Sequence, residues 1–247
     1  MENNYWVYED CFIFKPKFNG LITDYHKNII QYNKLIFSNY DNLESIISII
    51  QQKNYEPPDY NCSEFNKPLL NSLDKLINLR CLTFGYWFNK PLYNSFDKLI
   101  NLTHLTFGDC FNKPLANSLD KLTNLTHLTF GIHFNKPLSN SLDKLTNLTH
   151  LTLKFYFNQI LSESLYYLTK LEYLKLGHCF NQELILPSNI KILNLDCNNQ
   201  NLIENLPNSI EQLYLDYNFD LCLDNLPSSI KKISFHTDSK YSNTLHP

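Results

Sequence analysis

Glycine, methionine and net charge are all scarce in this chain. Its 247 residues include 5 glycines and 1 methionine, and the formal net charge is -3. A charge so close to zero gives no electrostatic reason to expect a nucleic acid or an anionic membrane as the partner. Because 43% of the residues are hydrophobic, the composition also excludes a disordered chain.

Sequence motifs of secretion, membrane insertion and catalysis are absent as well. The first residues lack a basic segment followed by an apolar one, and no run of about 18 apolar residues occurs. There is no CxxC pair, no glycine-rich phosphate loop, no GxSxG elbow and no HExxH motif. We therefore expect a soluble cytoplasmic protein that is not an enzyme and needs neither a metal nor a cofactor.

A repeat dominates the middle of the chain. The motif FNKPL occurs four times from Phe65 to Phe134, and the variants FNQIL and FNQEL follow at Phe157 and Phe180. Each step is 23 residues, and the clearest units contain the pattern LxxLxL. A period of this length with that pattern is typical of a leucine-rich solenoid, in which every coil adds one strand to a parallel sheet.

The same phase extends to both sides of these units. Upstream, Phe12 to Asn19 has the layout of Leu82 to Asn89, so degenerate coils begin near the N-terminus. Leu43 to Gln52, begun by a capping box of Asp41 and Glu44, is expected to form an enlarged helix on the convex side. The predicted stack of about ten coils divides into degenerate N-terminal coils and a cap continuous with the solenoid at 1–64, regular 23-residue repeats at 65–185, shorter 20-residue repeats at 186–235, and a C-terminal cap or tail at 236–247.

The units resemble the FNIP repeat, a relative of the leucine-rich repeat named for its Phe-Asn-x-Pro core. The match is close at the four FNKPL motifs, whereas Ile160 and Glu183 replace the proline in the next two units. The segments LPNSIEQLYL and LPSSIKKISF extend the likeness to Phe235. The resemblance implies an α/β solenoid like that of leucine-rich repeats, with a parallel concave sheet and short convex helices or turns. It also implies an origin in an amoeba or in a giant virus that infects one, where the protein would lie in the host cytoplasm.

Equivalent residues of successive coils lie above one another in such a stack, so the repeat predicts columns of side chains. The asparagine of each FNKPL motif is expected to join a ladder in which each side chain bonds both the loop backbone and the amide of the next coil. Asparagines three residues before an aspartate are expected to cap short convex helices, and the lysines after those aspartates to form a solvated stripe. The capping residues are Asn71, Asn94, Asn117 and Asn140, and the lysines are Lys75, Lys98, Lys121 and Lys144.

Two further columns are predicted to face solvent on the concave side of the sheet. Three stacked histidines in one column suggest a metal site, but the third would lie roughly 10 Å from the first, and the flanking column offers threonine rather than carboxylate. We therefore expect neutral imidazoles on a polar sheet instead of a zinc site. The first column is Cys81, His104, His127, His150, Tyr173, Ile192, Gln212 and Lys232, and the second is Thr83, Thr106, Thr129, Thr152, Lys175, Asn194, Tyr214 and Ser234.

These columns predict a protein-interaction scaffold. An enzyme needs an asymmetric group of residues, whereas most polar residues here occur in copies. The C-terminal coils add tyrosines and opposite charges, a composition typical of interfaces. We predict that a protein partner, and neither a nucleic acid nor a membrane, binds the concave face, and the oligomeric state stays open. The candidate binding residues are His104, His127, His150, Tyr173, Lys175, Asp196, Tyr214 and Asp216.

A second interpretation keeps the same fold. Proteins that resemble this one often join an F-box to the repeats, so the alternative function is a substrate receptor of a ubiquitin ligase. The first 64 residues partly match the repeat and contain no multi-helix leucine-rich module ahead of it. The alternative therefore requires an adaptor supplied by another chain.

Overall fold

The computed structural model describes residues 4–51, 62–216 and 219–236. The strands are β1 Tyr5–Tyr8, β2 Cys11–Phe14, β3 Lys34–Phe37, β4 Cys81–Thr83, β5 His104–Thr106, β6 His127–Thr129, β7 His150–Leu153, β8 Tyr173–Leu176, β9 Ile192–Leu195, β10 Gln212–Asp216 and β11 Lys232–His236. They form one sheet in sequence order. β1 and β2 make an antiparallel hairpin, and each later strand pairs in parallel with its predecessor. The predicted solenoid with a parallel sheet is confirmed.

The core is a continuous stack of leucine and phenylalanine columns. Alternate strand residues such as Leu128 and the following Phe130 point inward, because successive side chains of a strand face opposite sides. The phenylalanines of the FNKPL motifs stack across coils, with ring centroids 6.0 Å apart between Phe88 and Phe111 and again between Phe111 and Phe134. Each described coil therefore covers the apolar face of the next and shares one core with it.

The predicted asparagine ladder is present, with the backbone as its partner. The Oδ1 atom of Asn66 accepts the backbone N–H of Asn89 at 3.0 Å, and Asn89 does the same for Asn112. The pattern continues to Asn181, whose backbone N–H donates to Asn158 at 2.9 Å. The side chains thus bond the loop of the following coil rather than the next amide.

Of the short helices or turns that were expected opposite the sheet, the described regular coils form turns, so the helix caps predicted at the asparagines are not formed there. A residue with positive φ, such as Leu70, Tyr93 or Ala116, follows the leucine of each of the first three FNKPL motifs. Bonds of the i to i+3 type then follow, for example from the Asp74 N–H to the Asn71 carbonyl at 3.2 Å. The left-handed residue prevents a helix from starting at this point. The helices of the described residues are a 3-10 turn at Ile22–Tyr25, α1 His26–Ile29, α2 Leu43–Ile50 and α3 Gln200–Glu204.

Helix α2 lies on the face of the sheet opposite to the core, which corrects its expected convex position. Phe12 and Phe14 of β2 belong to the main core, so Cys11 and Ile13 face the other side. These two residues are nevertheless fully buried, in a second cluster with Ile46 of α2. The leucine and isoleucines of LESIISII drive this packing, because they need a second apolar surface and the outer face of β1 to β3 supplies one.

Hydrogen bonds hold both ends of α2. Asn42 is its N-cap and accepts the Ser45 backbone N–H at 2.8 Å, in place of the predicted capping box. Near the C-terminal end, the Gln51 amide donates to the Tyr8 hydroxyl at 2.8 Å. Gln52, the predicted last residue of this helix, lies outside the described residues, as do residues 237–247 of the predicted tail. No helix in the described part of the chain is long and apolar enough to span a membrane.

Candidate functional site: the open face of the sheet

The solvent-facing side of strands β4 to β11 is here called the open face. Its two columns have the register that the repeat predicted: His104, His127, His150 and Tyr173 pair in direct succession. In the neighbouring column, Thr106 pairs with Thr129 of the next strand. Both columns continue through β8, β9 and β10, because these strands also pair in succession in the predicted register. The open face begins at β4 because α2 covers the equivalent surface of β1 to β3.

The three histidines form a ladder of stacked rings, here called the imidazole ladder. Ring centroids lie 4.1 Å apart between His104 and His127 and 4.1 Å apart between His127 and His150, with planes inclined by 11° in each case. Tyr173 continues the stack at 5.4 Å and 22°. The four rings therefore present edges rather than faces along most of the ladder.

A repeated hydrogen-bond chain fixes each imidazole. The Thr126 hydroxyl lies 3.0 Å from the Thr103 carbonyl and 2.9 Å from Nδ1 of His127. Because the carbonyl can only accept, the hydroxyl donates to it, and we assign the proton on Nδ1 as the donor to that hydroxyl. His104 and His150 have the same contacts with Thr103 and Thr149. This assignment leaves every Nε2 of the ladder as an acceptor.

Burial keeps the ladder neutral. Desolvation, followed by the two neighbouring imidazoles, lowers the pKa of His127 to about 4. Desolvation also lowers the pKa of His104 and of His150. These shifts agree with the expectation of uncharged rings, because a proton on one rung would be both poorly hydrated and repelled by a proton on the next.

Stability is expected to fall as the pH drops from about 6.5 towards 4. An unfolded histidine has a pKa near 6.5, whereas that of His127 in the folded chain is about 4. Between these values the unfolded state binds more protons, so acid favours unfolding. After discounting for solvent screening, the loss attributable to His127 is on the order of 1 kcal/mol. Urea denaturation followed by circular dichroism at several pH values measures it.

The matched pair for this test is His127→Gln and His178→Gln. A glutamine side chain cannot be protonated in this range, so the His127→Gln variant should lose part of the acid-dependent fall in the free energy of unfolding. His178 lies on an exposed loop outside the imidazole ladder, so His178→Gln is the control for replacing a histidine that does not stack on another imidazole. An equal pH dependence in wild type and His127→Gln would contradict the assignment.

The C-terminal part of the open face carries the tyrosines and opposite charges. The Lys175 ammonium lies 2.9 Å from the Asp196 carboxylate in a largely buried ion pair. Burial raises the pKa of Tyr173 to about 12, so the ring stays a neutral phenol. The Tyr214 hydroxyl donates to Gln212 at 3.0 Å. These contacts orient the predicted residues in a fixed surface.

Asp216 differs from the other predicted residues because it is buried. Only 6% of its surface is exposed, although it lies at the end of β10 on the side of Gln212 and Tyr214. It therefore offers almost no surface to a partner. The neighbouring Tyr217 lies outside the described residues. Across residues 4–51, 62–216 and 219–236, no group of three or more His, Cys, Asp or Glu side chains is placed to hold a metal ion.

A second set of candidate residues escaped the sequence interpretation. Two positions between each strand and the next Phe-Asn pair vary from coil to coil, and Trp87, Phe155 and Tyr156 are all exposed there. Their variability against a constant repeat was the available signal. These positions are called the loop rim, and they comprise Tyr86 and Trp87, Asp109 and Cys110, Ile132 and His133, Phe155 and Tyr156, and His178 and Cys179.

The fold and its register define a leucine-rich-repeat-like solenoid. CroV588, a circular leucine-rich-repeat protein, is similar over 94% of this chain, with a TM-score of 0.57 and 25% identity. The chain spans 41% of the length of CroV588. Internalin InlF of Listeria monocytogenes matches 92% of the chain and 67% of its own length at a TM-score of 0.59 and 18% identity. Internalin C2 of the same organism matches 80% of the chain and 95% of its own length, at a TM-score of 0.53 and 13% identity.

Residues 198–238 match the model of the FNIP Repeat family. The chain therefore carries an FNIP repeat within a leucine-rich-repeat-like solenoid, and the resemblance drawn from the motifs is confirmed. The match falls on the shorter C-terminal coils, whereas the motifs were clearest in the FNKPL coils. No curated protein sequence matches the chain.

Proposed function

We propose that this protein is a non-enzymatic scaffold that binds a protein partner on the open face, between β5 and β10. The observation that carries the proposal is the imidazole ladder with Tyr173, a row of aromatic edges already held in one conformation. Ordered aromatic side chains lose little conformational entropy on binding. Leucine-rich-repeat folds such as those of the similar structures are commonly used for protein binding, which supports this assignment.

The contacts of α2 limit where such a partner would bind. The helix occupies the outer face of β1 to β3, so a partner would reach the sheet from β4 onward. At the spacing of parallel strands, the free width from β4 to β11 is roughly 35 Å. This width fits one small domain or one extended segment laid across the strands, with Tyr214 and Lys232 at the far end.

The residues of the open face favour binding over catalysis. Its polar groups recur as columns, and the Lys175–Asp196 ion pair is engaged within the sheet rather than directed at a substrate. The ubiquitin-ligase alternative gains no support from the similar proteins. We therefore carry forward the scaffold alone.

Capture from an extract of the native host cell tests this function. The intact chain is immobilised, recovered proteins are identified by mass spectrometry, and the affinity of the purified partner is then measured by calorimetry. Tyr214→Ala and His127→Asp should each weaken binding by roughly tenfold or more, because aromatic residues in ordered patches dominate interface energies. Both variants must first give the circular dichroism spectrum of the wild type.

Tyr166→Ala is the matched control. Tyr166 is 76% exposed and lies in the turns opposite the sheet. Its replacement removes the same type of side chain as Tyr214→Ala, but from a surface that the proposal does not assign to the partner. Binding that survives Tyr214→Ala and His127→Asp, or that is lost with Tyr166→Ala, would show that the partner does not use the open face.

A further inference from the structure

A cavity of about 300 Å³ lies on the loop rim. Its lining comes from the loops that follow the strands and from the asparagine ladder, with no residue of the open face. It is therefore a surface separate from the one proposed above. The lining residues are Asn66, Trp87, Asn89, Cys110, Asn112 and His133.

Aromatic rings flank this cavity, and a small residue lies between them. Trp87, Cys110, His133 and Tyr156 occupy the same position in four successive coils. His133 and Tyr156 stack at 5.2 Å, and Trp87 is 49% exposed. The adjoining phenylalanines set a coil spacing of 6.0 Å. Trp87 and His133 are thus two coils apart, with the Cys110 thiol where a third ring would continue the column. A planar ring laid over this thiol would continue the column at the spacing of the phenylalanines.

The ladder asparagines supply hydrogen-bond donors to the same cavity. The Oδ1 atoms of Asn66, Asn89 and Asn112 are each taken by the backbone N–H of the next coil. The amide nitrogens of these three side chains have no acceptor within the described residues. Because Nδ2 can only donate, the cavity favours a ligand that carries acceptor oxygens.

A column of like charge runs beside the donors. Lys67, Lys90, Lys113 and Lys136 each follow a ladder asparagine directly. None of them belongs to an ion pair of the described part of the chain.

The acidic residues of this region leave the lysine column largely uncompensated. Among them, Glu64 lies beside the first rung, and the carboxylate of Asp109 is already 3.6 Å from the Lys154 ammonium. Like charges that recur once per coil repel one another, so the lysine column favours an anionic partner.

We propose that the loop rim beside β4 to β6 binds an extended acidic segment of a partner protein, with one tyrosine ring of that segment seated between Trp87 and His133. Carboxylates would pair with the lysine column, and the tyrosine hydroxyl would accept from an asparagine amide. The lysines recur once per coil, so a segment running along the stack meets a cation at every step of about 6 Å.

A single-stranded nucleic acid shares part of this chemistry, because it also combines anions with planar rings. The observations favour the protein segment. The chain as a whole carries a net charge of -3, whereas nucleic-acid surfaces are broadly basic. The flanking Glu64 would also repel a continuous phosphate backbone. The nucleic acid is therefore kept as one outcome of the test.

Fluorescence anisotropy with labelled ligands tests the proposal on the intact chain. The probe is a short peptide of glutamate and aspartate around one central tyrosine, and its companions are the same peptide with alanine for tyrosine and an oligouridylate of similar length. We expect the tyrosine peptide to bind most tightly. The double variant Lys90→Glu, Lys113→Glu should weaken that binding roughly tenfold or more and flatten its salt dependence. Trp87→Ala should weaken the binding of the tyrosine peptide several-fold and leave the binding of the alanine peptide unchanged.

The control reverses the same charges elsewhere. Lys98→Glu with Lys121→Glu changes two exposed lysines of the turns opposite the sheet, and it should preserve binding. Equal weakening by both double variants would mean that net charge alone attracts the peptide, and this would overturn the site. Tighter binding of oligouridylate, or no peptide binding at low salt, would overturn the assigned partner. Tyr214→Ala should not affect this binding, so the result is independent of the open-face proposal.

Discussion

Replacing Phe111 with alanine is expected to lower the free energy of unfolding by about 3–5 kcal/mol. The Phe111 side chain is 0% exposed and lies in the middle of the stack. Its ring is 4.2 Å from that of Phe107 and 6.0 Å from those of Phe88 and Phe134. Removing it leaves a cavity between coils, and three neighbouring rings lose contacts that no other residue can supply.

Urea denaturation monitored by circular dichroism measures this effect, with Phe155→Ala as the matched control. Phe155 is 39% exposed on the loop rim, so the same change there should cost far less. The solenoid transmits stability between neighbours, and the Phe111 variant should therefore unfold either as a whole at lower urea or in two steps divided at that coil. Equal losses from both substitutions would contradict the assigned packing.

Gly108→Ala is expected to cost about 1–3 kcal/mol or more, although the change adds a single methyl group. A Cβ atom on Gly108 would lie 1.8 Å from the carbonyl oxygen of Gly85 in the preceding coil. Backbone cannot move aside as a side chain can, so the two coils must separate locally. Two other coils have Lys154 and Asp196 at the equivalent position, so not every coil requires glycine there. The requirement for glycine at position 108 therefore comes from the close approach of its coil to that of Gly85.

Gly20→Ala provides the comparison for that experiment. Its added Cβ would lie 3.0 Å from the Phe18 ring edge, and the three nearest atoms all belong to that side chain. A thermal melt of both variants should show a clear fall in the melting temperature for Gly108→Ala and a small shift for Gly20→Ala. If the two shifts were equal, contact between the coils would not be the reason for glycine in this column.

The periodicity of the sequence was sufficient to predict the sheet and its register. Leucine or phenylalanine at the core positions and a constant 23-residue step allow only one alignment of His104 with His127 and His150, because any other register would expose these apolar side chains. The asparagine ladder followed from the same alignment. Its bonds to the loop backbone were predicted as well, whereas the bonds expected between successive ladder amides do not form among the described residues, because only the loop geometry decides which partner an amide meets.

Local patterns outside the repeat were less informative. The apolar residues of α2 predicted a helix but not the face of the sheet against which it packs, because both faces of β2 are apolar in CFIF. In the regular coils, the asparagines and aspartates fit a helix cap and a turn equally well, and the positive φ of Leu70 decides for the turn. Such choices depend on tertiary contacts that composition does not contain.

For the candidate sites too, some features could be predicted from the sequence and others could not. The open-face columns could be predicted because strand alternation assigns each residue to a side. The burial of Asp216 could not, since it follows from packing at the end of β10. The loop rim was visible in the sequence only as variation, and Trp87 and His133 became a pair once the structure placed them around one cavity.

The unbroken register from β4 to β8 also determines how the gene for such a chain can change in length. Duplication of one whole 23-residue unit would add a rung to every column at once and leave the hairpin and the shorter C-terminal coils in place. Duplication of a smaller piece would break the alignment of the leucine columns. Growth in whole units would extend the imidazole ladder and the lysine column together, so copy number could tune the length of both surfaces without a new fold.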